Sequence, residues 1–429
     1  MKNGIKMDLS KKTKSFLTDW GVCADQIDID ATCKSILSEM EMGLEGGNSS
    51  LEMIPTYINF PVKTESQTVV AIDAGGTNLR AAVVTFSESG TCNIESLSKA
   101  VMPGSERYLS KNEFFSAIAA FIRPLVSRSD MIGFCFSYPT KIYPDKDGRL
   151  IRFAKEIKAP EVEGELIGQN LLDALGIKKK IVILNDTVAT LLAGMASKKR
   201  TYSSYVGFIL GTGMNGSYVE SGDNIRKLKG IPENQIINTE LGNFSKLERS
   251  PLDLELDHHT ENPGVNPFEK MTAGGYLGDL VLHTLKKSVE EGLIEGQAAL
   301  RLGEISTLET KEVNEFLHSP QKGNLLADIF GQSEEGKICN AIAANLVERA
   351  SKLAAASLSA LSIKSGEGRS PDQPVCLTVE GSTFYRLKGL RDLTLFHLQQ
   401  YLTEKRRIHF DLIEVENATI KGAAIAGLS

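Results

Sequence analysis

Residues 69–84, VVAIDAGGTNLRAAVV, constrain the fold more than any other stretch of the chain. Two apolar runs, 69–72 and 81–84, flank a polar segment that contains Gly75 and Gly76. This pattern predicts a β-hairpin with a tight turn. Glycines let the backbone approach a ligand without a Cβ clash, and exposed N–H groups in such a turn suit a phosphate. The alternative is an ordinary glycine-rich hairpin that binds nothing.

The side chains near this turn are also suited to a phosphorylated ligand. Thr77 and Asn78 offer hydrogen-bond donors, and Arg80 adds a fixed positive charge. Asp73 is a candidate to face a metal-bound water. The hairpin therefore predicts a phosphate site, and the remaining sequence is expected to supply the rest of it.

Composition excludes several functional classes. The chain has 429 residues, 41% of them hydrophobic, and a net charge of −6, which allows two or three domains and does not favour nucleic acid or anionic membranes as partners. No apolar run reaches about 18 residues, so no transmembrane helix is expected, and the N-terminus lacks the apolar stretch of a secretory signal. The six cysteines are scattered without a CxxC, as in a reduced, cytoplasmic protein without a cysteine metal site.

Apolar periodicity and turn residues predict an α/β pattern along the chain. The predicted elements are a helical region at 8–46 stopped by Gly46 and Gly47, an extended loop at 49–61, a strand at 91–101, a helix at 111–128, a strand at 131–139, a turn at 145–149, a helix at 161–175, a strand at 181–186, a helix at 187–197, a long alanine-rich helix at 338–363, a surface loop at 363–374 and a closing helix at 417–429.

A second glycine turn repeats the first. In residues 205–219, YVGFILGTGMNGSYV, apolar runs again flank the turn, so that Gly213 matches Gly76 and Asn215 matches Asn78. This internal similarity predicts two related halves that face one ligand. Chance recurrence of a common hairpin pattern is the alternative.

Polar side chains also follow several predicted strands, where α/β folds bind ligands. Asn185 and Asp186 come directly after an apolar run, although an aspartate there is also a common helix N-cap. Further polar groups at such positions are Ser137, Thr140, Lys141, Asn238, Thr239, Glu240 and Glu269. Amides, carboxylates and a hydroxyl suit a polyhydroxylated ligand. Together with a glycine-cradled Mg-nucleotide, they indicate phosphoryl transfer to a sugar.

From about residue 30 to its end, the chain resembles the hexokinases shared by eukaryotes and some bacteria, in the actin-like ATPase superfamily. The matching motifs are DAGGTNLR, FCFSYP, LIRFAKEIKA, LNDTVATLL, LGTGMNGSYVE, INTELGNF, NPFEKMTAGGYLGDL, LETKEV, VEGSTFYR and KGAAI. The resemblance implies an α/β, two-domain, actin-like ATPase (ribonuclease H-like) fold with a sugar and ATP cleft between the domains. We expect residues 66–205 and 417–429 to form the small domain, and 1–65 and 206–416 the large one.

The same resemblance implies roles for individual residues. Asp186 would take the proton of the sugar 6-hydroxyl as it attacks ATP, with Arg80 and Lys155 also at the reaction centre. The implied sugar ligands are Ser137, Lys155, Asn185, Asp186, Asn215, Glu240 and Glu269. The implied nucleotide-site residues are Asp73 (through water to Mg²⁺), Gly75, Gly76, Thr77, Asn78, Arg80, Gly211, Thr212, Gly213, Thr310, Gly381, Ser382 and Thr383. A cytoplasmic monomer or homodimer is expected.

Three departures from the family pattern lie near the implied site. Phe153-Ala154-Lys155-Glu156 stands where Trp-Thr-Lys-Gly is usual, Met214 replaces a threonine, and residues 417–420 read Asn-Ala-Thr-Ile in place of Asp-Gly-Ser-Gly. The base and the phosphate residues are retained, so activity is expected, and the properties that these departures concern are sugar preference and affinity. Glucose is the expected substrate. The alternatives are another sugar, such as mannose, fructose or an amino sugar, and a non-enzymatic sugar sensor or an actin-like polymer.

Overall fold

The computed structural model describes residues 10–64, 66–76, 78–153, 157–197, 200–229 and 233–429. Its strands are β1 (Ile54–Asn59), β2 (Thr68–Gly75), β3 (Asn78–Phe86), β4 (Cys92–Val101), β5 (Met131–Phe136), β6 (Thr140–Ile142), β7 (Gly148–Leu150), β8 (Lys180–Leu184), β9 (Ser204–Leu210), β10 (Met214–Glu220), β11 (Gln235–Asn238), β12 (Val375–Glu380) and β13 (Phe410–Ile413). Its α-helices are α1 (Lys11–Asp19), α2 (Ile29–Glu45), α3 (Lys111–Ile122), α4 (Ile167–Leu175), α5 (Asp186–Ala196), α6 (Pro251–His259), α7 (Pro267–Lys270), α8 (Leu277–Glu290), α9 (Gly296–Gly303), α10 (Thr310–His318), α11 (Leu325–Phe330), α12 (Glu334–Lys364), α13 (Ser382–Arg386), α14 (Leu390–Leu398) and α15 (Ala418–Gly427).

Two mixed sheets form the framework, and five strands of one correspond in order to five strands of the other. The first has the order β4-β3-β2-β5-β8, and the second has the order β1-β11-β10-β9-β12-β13. In each sheet a three-stranded antiparallel meander, β2-β3-β4 or β9-β10-β11, is extended by two parallel strands. The similarity between the two glycine hairpins therefore extends over five strands of each sheet. This arrangement confirms the predicted α/β class.

The helix that ends each half packs on the sheet of the other half. Helix α5 follows β8 but contacts β9 and β12, whereas α15 follows β13 but contacts β2 and β5. The two helices also contact each other. Because the two helices contact each other and strands of both sheets, they bring residues from distant parts of the sequence to one place.

The larger hydrophobic core lies around the six-stranded sheet and the 31-residue helix α12. The serine residues and most of the alanine residues of α12 are buried, which lets the helix pack closely against α2, α14 and β10. Arg349 of α12 forms a buried ion pair with Asp253 of α6, with Nη to Oδ distances of 2.9 and 2.5 Å. Burial raises the pKa of Asp253, but the charge and hydrogen bonds of Arg349, with hydrogen bonds from Ser250, outweigh it and leave the pKa below its usual range.

Several predicted boundaries were wrong. The helical region 8–46 is two helices separated by a short 3₁₀ turn at Ala24–Gln26, although Gly46 ends α2 as expected, with φ +80°. The helix predicted at 111–128 ends at Ile122, because Pro124 has no backbone N–H with which to continue the helical hydrogen bonds. The helix predicted at 161–175 begins only at Ile167, after a 3₁₀ turn at Pro160–Val162.

The stretch 49–61, expected to be an extended loop, contains β1. This strand pairs antiparallel with β11, about 180 residues later in the sequence, and that distant partner supplies its hydrogen bonds. Ser204 and Tyr205, which end the predicted small domain, are the first residues of β9 in the six-stranded sheet. The division into two domains at the expected residues stays a prediction.

Two expectations drawn from composition concern membranes and cysteines. None of the helices in the described ranges has an apolar run long enough to cross a bilayer. All six cysteines lie in those ranges, none of them forms a disulfide there, and only Cys92 is not buried.

Candidate active site

The first glycine turn has the predicted hairpin geometry. In the β2–β3 register Asp73 is opposite Arg80, and Gly75 is opposite Asn78. Gly76 has a φ of +55°, a left-handed conformation that glycine adopts without strain. Nε and Nη2 of Arg80 donate to Oδ2 of Asp73 at 2.9 and 2.5 Å. The positive charge and the carboxylate predicted for the phosphate site are thus held together as an ion pair.

Thr419, in the first turn of α15, completes this pair. Its hydroxyl donates to Oδ2 of Asp73 at 3.0 Å and accepts from Nη2 of Arg80 at 2.8 Å. The preceding Asn417 places its Oδ1 3.5 Å from Nη1 of Arg80. The sequence showed this segment only as a departure from the family pattern. The sequence feature from which Thr419 could have been predicted is its position two residues before Lys421-Gly422.

Asp186 is the first residue of α5, directly after β8. The N-cap is Asn185, whose Oδ1 accepts from the backbone N–H of Thr187 at 2.9 Å and from its hydroxyl at 2.8 Å. The capping role left open for Asp186 therefore belongs to Asn185. Burial, together with the charge of Asp73, raises the pKa of Asp186 to about 6, and hydrogen bonds from the helix N-terminus and from Ser137 offset part of this shift.

Ser137 links the glycine turn to Asp186. It follows β5, and its backbone N–H donates to the carbonyl of Ala74 at 3.0 Å. A Cβ atom on Gly75 would lie only 2.9 Å from the Ser137 hydroxyl, so a side chain at position 75 would displace it. Its hydroxyl also interacts with the Asp186 carboxylate and favours the ionised form. Ser137 thus lies close to both the phosphate turn and the candidate base.

A chain of amide and carboxylate groups runs through β10 and β11. Nδ2 of Asn215 donates to Oδ1 of Asn238 at 2.9 Å, and Nδ2 of Asn238 donates to Oε1 of Glu240 at 2.7 Å. At its other end, Nδ2 of Asn215 lies 3.5 Å from Oδ1 of Asn185. Burial raises the pKa of Glu240 to about 7, against the opposing effect of the Asn238 bond.

The second predicted glutamate, Glu269, lies beside the second glycine turn. Its Oε2 accepts from the backbone N–H of Met214 at 2.9 Å, and Asn266 approaches its Oε1 at 3.4 Å. Burial raises the pKa of Glu269. Met214 replaces a hydroxyl with a thioether, which accepts a bond from Thr272 at 3.0 Å. This replacement leaves the Met214 main-chain contact with Glu269 in place.

The residues predicted around the second turn converge on it. The hydroxyl of Thr383 donates to the carbonyl of Gly211 at 2.9 Å, and Gly275 donates to the carbonyl of Thr212 at 3.0 Å. Gly381 has a φ of +124°, and a Cβ there would lie 2.2 Å from the carbonyl oxygen of Leu210, so only glycine fits.

The remaining predicted nucleotide residues take several positions around this turn. Thr310 accepts a bond from the N–H of Gly278 at 2.9 Å, so it is tied to the start of α8. Ser382 is exposed at the start of α13, and Gly213 lies against the carboxylate of Glu269.

Glu380, the last residue of β12, is a further acidic group that had no assigned role. Burial raises its pKa to about 7, the charge of Arg80 opposes this rise, and the charges of Glu414, Asp73 and Asp186 add to it. Glu380 therefore faces the same region as the Asp73–Arg80 pair. Its position at a strand end, directly before Gly381, was the available signal.

Phe153, which stands in place of the usual tryptophan, belongs to an aromatic cluster. Its ring centroid lies 5.1 Å from that of Tyr138 and 5.5 Å from that of Phe114. The hydroxyl of Tyr138 donates to the carbonyl of Gly76 at 2.8 Å. The residues that follow Phe153, including Ala154 and Lys155, lie outside the described ranges, as does Thr77, so the roles expected of Lys155 and Thr77 stay predictions.

The structure therefore brings together most of the predicted site. Coulombic interactions and hydrogen bonds connect Asp73, Arg80, Ser137, Asn185, Asp186, Asn215, Glu240 and Glu269. Within the described ranges, no group of three or more His, Cys, Asp or Glu side chains is arranged to hold a metal ion. A cation here would need ligands from elsewhere, such as phosphate oxygens and water.

Comparisons with known proteins indicate the family to which the chain belongs. Two family models, both described as hexokinase, match residues 14–196 and 205–429. Hexokinase-1 of Saccharomyces cerevisiae is 29% identical, over 92% of this chain and 88% of the relative. A hexokinase of Schwanniomyces occidentalis is 30% identical, over 91% and 87%.

A solved structure shares the fold. The hexokinase from Schistosoma mansoni complexed with glucose has a TM-score of 0.80 and 24% identity to this chain, and the match covers 98% of this chain and all of that one. The likeness supports the predicted two-domain, actin-like arrangement. With one family model that matches more than half of its residues, the chain belongs to the hexokinase family.

Proposed function

We propose that this protein transfers the γ-phosphoryl group of ATP to the 6-hydroxyl of a hexose, with glucose as the preferred substrate. The observation that carries the proposal is the position of Asp186. Its carboxylate interacts with Asp73 of the first glycine hairpin on one side and with Glu240 of the amide chain on the other. A base between a phosphate site and a hydroxyl-binding site is the arrangement that phosphoryl transfer to a sugar requires.

Asp186 is the proposed general base. With a pKa of about 6 its carboxylate is ionised at pH 7, yet it is more basic than an ordinary aspartate. A catalytic pKa near the working pH favours proton transfer. Asp186 would accept the proton of the 6-hydroxyl as that oxygen attacks phosphorus, while the Ser137 hydroxyl orients the carboxylate.

The sugar would lie against Asn185, Asn215, Glu240 and Glu269. Carboxylate oxygens accept from sugar hydroxyls, and a hydrogen bond to a charged group contributes about 1.5–3 kcal/mol. Lys155 is proposed as a further sugar ligand on the basis of the family resemblance. That the related Schistosoma mansoni enzyme was solved in complex with glucose supports a hexose in this place.

ATP and Mg²⁺ are the proposed co-substrate and cofactor. The donor set fits a magnesium ion bound mainly by phosphate oxygens and water, because Mg²⁺ typically takes one or two carboxylates and keeps several waters. Asp73 would hold one of those waters. Mg²⁺ supplies charge neutralisation on the phosphates, and Arg80, Thr77, Thr212 and the turn N–H groups would orient them.

The cellular location, the oligomeric state and the pathway step are part of the same proposal. We propose a cytoplasmic enzyme, monomeric or homodimeric, that acts at the first step of glycolysis. A kinase of another sugar on the same scaffold is the second candidate, because residues 153–156 and Met214 depart from the family pattern and Met214 contacts the proposed sugar ligand Glu269. A non-enzymatic sensor is less consistent with an ionisable Asp186 between the two sites.

A substrate panel tests the proposal. The purified protein would be incubated with Mg-ATP and glucose, mannose, fructose, glucosamine or N-acetylglucosamine, and ADP release and the phosphorylated product would be measured. We expect the highest kcat/KM with glucose and the phosphate on the 6-oxygen. A higher kcat/KM with another sugar would favour the second candidate. Glucose binding without ADP release from any sugar would contradict kinase activity.

A further inference from the structure

We propose that Asn238 is a positioning residue that orients the Glu240 carboxylate and the Asn215 amide toward the sugar and thereby sets sugar affinity. This inference rests on the proposed role of Glu240 and Asn215 as sugar ligands. Asn238 is the last residue of β11 and is only 5% exposed. Its side chain is therefore committed to protein partners and acts on a ligand through them.

Asn238 holds Glu240 at two points. Its Nδ2 donates to Oε1 of Glu240 at 2.7 Å, and its Oδ1 accepts from the Glu240 backbone N–H at 3.2 Å. Glu240 itself has a left-handed backbone, with φ +54°, which directs its side chain away from the line of β11. Because Oε1 is bound to Asn238, the carboxylate is fixed in one orientation, with Oε2 left to accept from a sugar hydroxyl.

The same oxygen of Asn238 also fixes Asn215. Oδ1 of Asn238 accepts from Nδ2 of Asn215 at 2.9 Å, while Oδ1 of Asn215 accepts from the N–H groups of Gly216 and Leu241 at 2.7 and 3.1 Å. The Asn215 amide is therefore held at both ends. Through its 3.5 Å approach to Asn185, the cap of α5, the chain extends from Glu240 to the helix that carries Asp186.

An acidic environment makes the donor at position 238 important. The charges that face Glu240 are those of Glu52, Asp186 and Glu269, and all of them disfavour its ionised form. The hydrogen bond from the Asn238 amide opposes these charges, because it favours the ionised form of Glu240. Asn238→Asp replaces this donor with a carboxylate of the same shape. The packing would be unchanged, but the attraction between position 238 and the Glu240 carboxylate would become a repulsion.

The test compares Asn238→Ala and Asn238→Asp with Gln235→Ala. Gln235 is a buried amide on the same strand, and its Oε1 has no partner among the described residues, so it is a matched control. We would measure kcat and the sugar KM at saturating ATP, the pH dependence of kcat/KM, and thermal unfolding. Wild-type protein in the same assay tests the proposed function separately, since its failure to phosphorylate any sugar would contradict that function and not this inference.

For Asn238→Ala we expect the glucose KM to rise about 10- to 100-fold, as for a lost hydrogen bond to a charged group, with kcat within about threefold. Asn238→Asp should move the acidic limb of kcat/KM to higher pH, and this variant also serves if the alanine variant does not fold. Gln235→Ala should leave KM and the limb unchanged. A folded Asn238→Ala with wild-type KM, or an Asn238→Asp profile that coincides with wild type, would overturn the proposal.

Discussion

Removing the Ser137 hydroxyl should move the acidic limb of the pH–rate profile to higher pH. The reason is that the Ser137 hydroxyl interacts with the Asp186 carboxylate and favours its ionised form, against burial and the charge of Asp73, which raise its pKa to about 6. In Ser137→Ala the opposing bond is lost, and the pKa of Asp186 rises further. Since only the ionised carboxylate accepts a proton, activity is retained at high pH and lost as the pH falls through this pKa.

The magnitude follows from the strength of the bond. A hydrogen bond to a charged group contributes about 1.5–3 kcal/mol, and each pKa unit corresponds to about 1.4 kcal/mol. The pKa of Asp186 should therefore move from about 6 to between about 7 and 8. At pH 7 the ionised fraction would fall from roughly nine-tenths to between a tenth and a half, and at pH 9 most of the lost activity would return.

The assay is kcat/KM for the sugar from pH 5 to 9 at saturating Mg-ATP. Glu240 and Glu380, each with a pKa of about 7, also titrate in this range. The Ser137 change is therefore also made in a Glu240→Gln, Glu380→Gln background, where the limb near 6 is assigned to Asp186. Ser217→Ala is the control, because its hydroxyl donates at 2.8 Å to the Thr187 carbonyl of the same helix and not to the carboxylate. A limb that does not move in Ser137→Ala, or that moves equally in Ser217→Ala, would refute the reasoning.

Three other substitutions test parts of the same structure. Asp186→Asn should raise the free energy of unfolding at pH 8 by up to about 3 kcal/mol, because it removes a buried charge whose folded pKa of about 6 exceeds the reference value of 3.8. This gain should vanish below about pH 4, where the carboxyl is protonated in both states. A difference in urea unfolding that is the same at both pH values would contradict this. Arg349→Met should lower the free energy of unfolding by about 3–5 kcal/mol, because it leaves the Asp253 carboxylate buried and unpaired. Asp253→Asn in the Arg349→Met background should recover part of this loss. No recovery would contradict the stabilising role of the ion pair. Thr419→Val should lower kcat/KM for ATP about tenfold or more, because the hydrogen bond from its hydroxyl to Asp73 is lost. Thr419→Ser keeps the hydroxyl and should retain kcat/KM. An equal loss in both variants would show that the hydroxyl is not the cause.

Local sequence signals were enough to predict the elements that carry the chemistry. The two glycine hairpins combine apolar runs with a turn that few residues other than glycine can make, and the long helix α12 has a composition typical of close helix packing. Polar residues directly after apolar runs identified Ser137 and Asp186, because strand ends meet at one edge of a sheet. These features depend on neighbours in the sequence.

The elements that were missed depend on distant partners. Strand β1 contains a proline and is stabilised by pairing with β11 about 180 residues later, and β13 is four residues long and pairs with β12 at the edge of the sheet. Short strands of this kind carry little signal of their own, since strand preference depends on context.

The supporting residues of the site were missed for the same reason. Thr419 contacts Asp73 across 346 positions of sequence, and only the packing of α15 on β2 makes this contact. Asn238 was visible as a polar residue at a strand end. Its importance follows from the orientation of three side chains, which the sequence order does not specify.

The measurement that tests the central claim most directly compares catalysis and sugar binding in Asp186→Ala. Phosphorylation of glucose would be followed by ADP release, and glucose binding by isothermal titration calorimetry. A positioned general base contributes about 10²- to 10⁴-fold, so we expect kcat to fall at least a hundredfold while the variant still binds glucose within a few-fold of the wild-type affinity. Turnover within tenfold of wild type would contradict the assignment of Asp186 as the catalytic base.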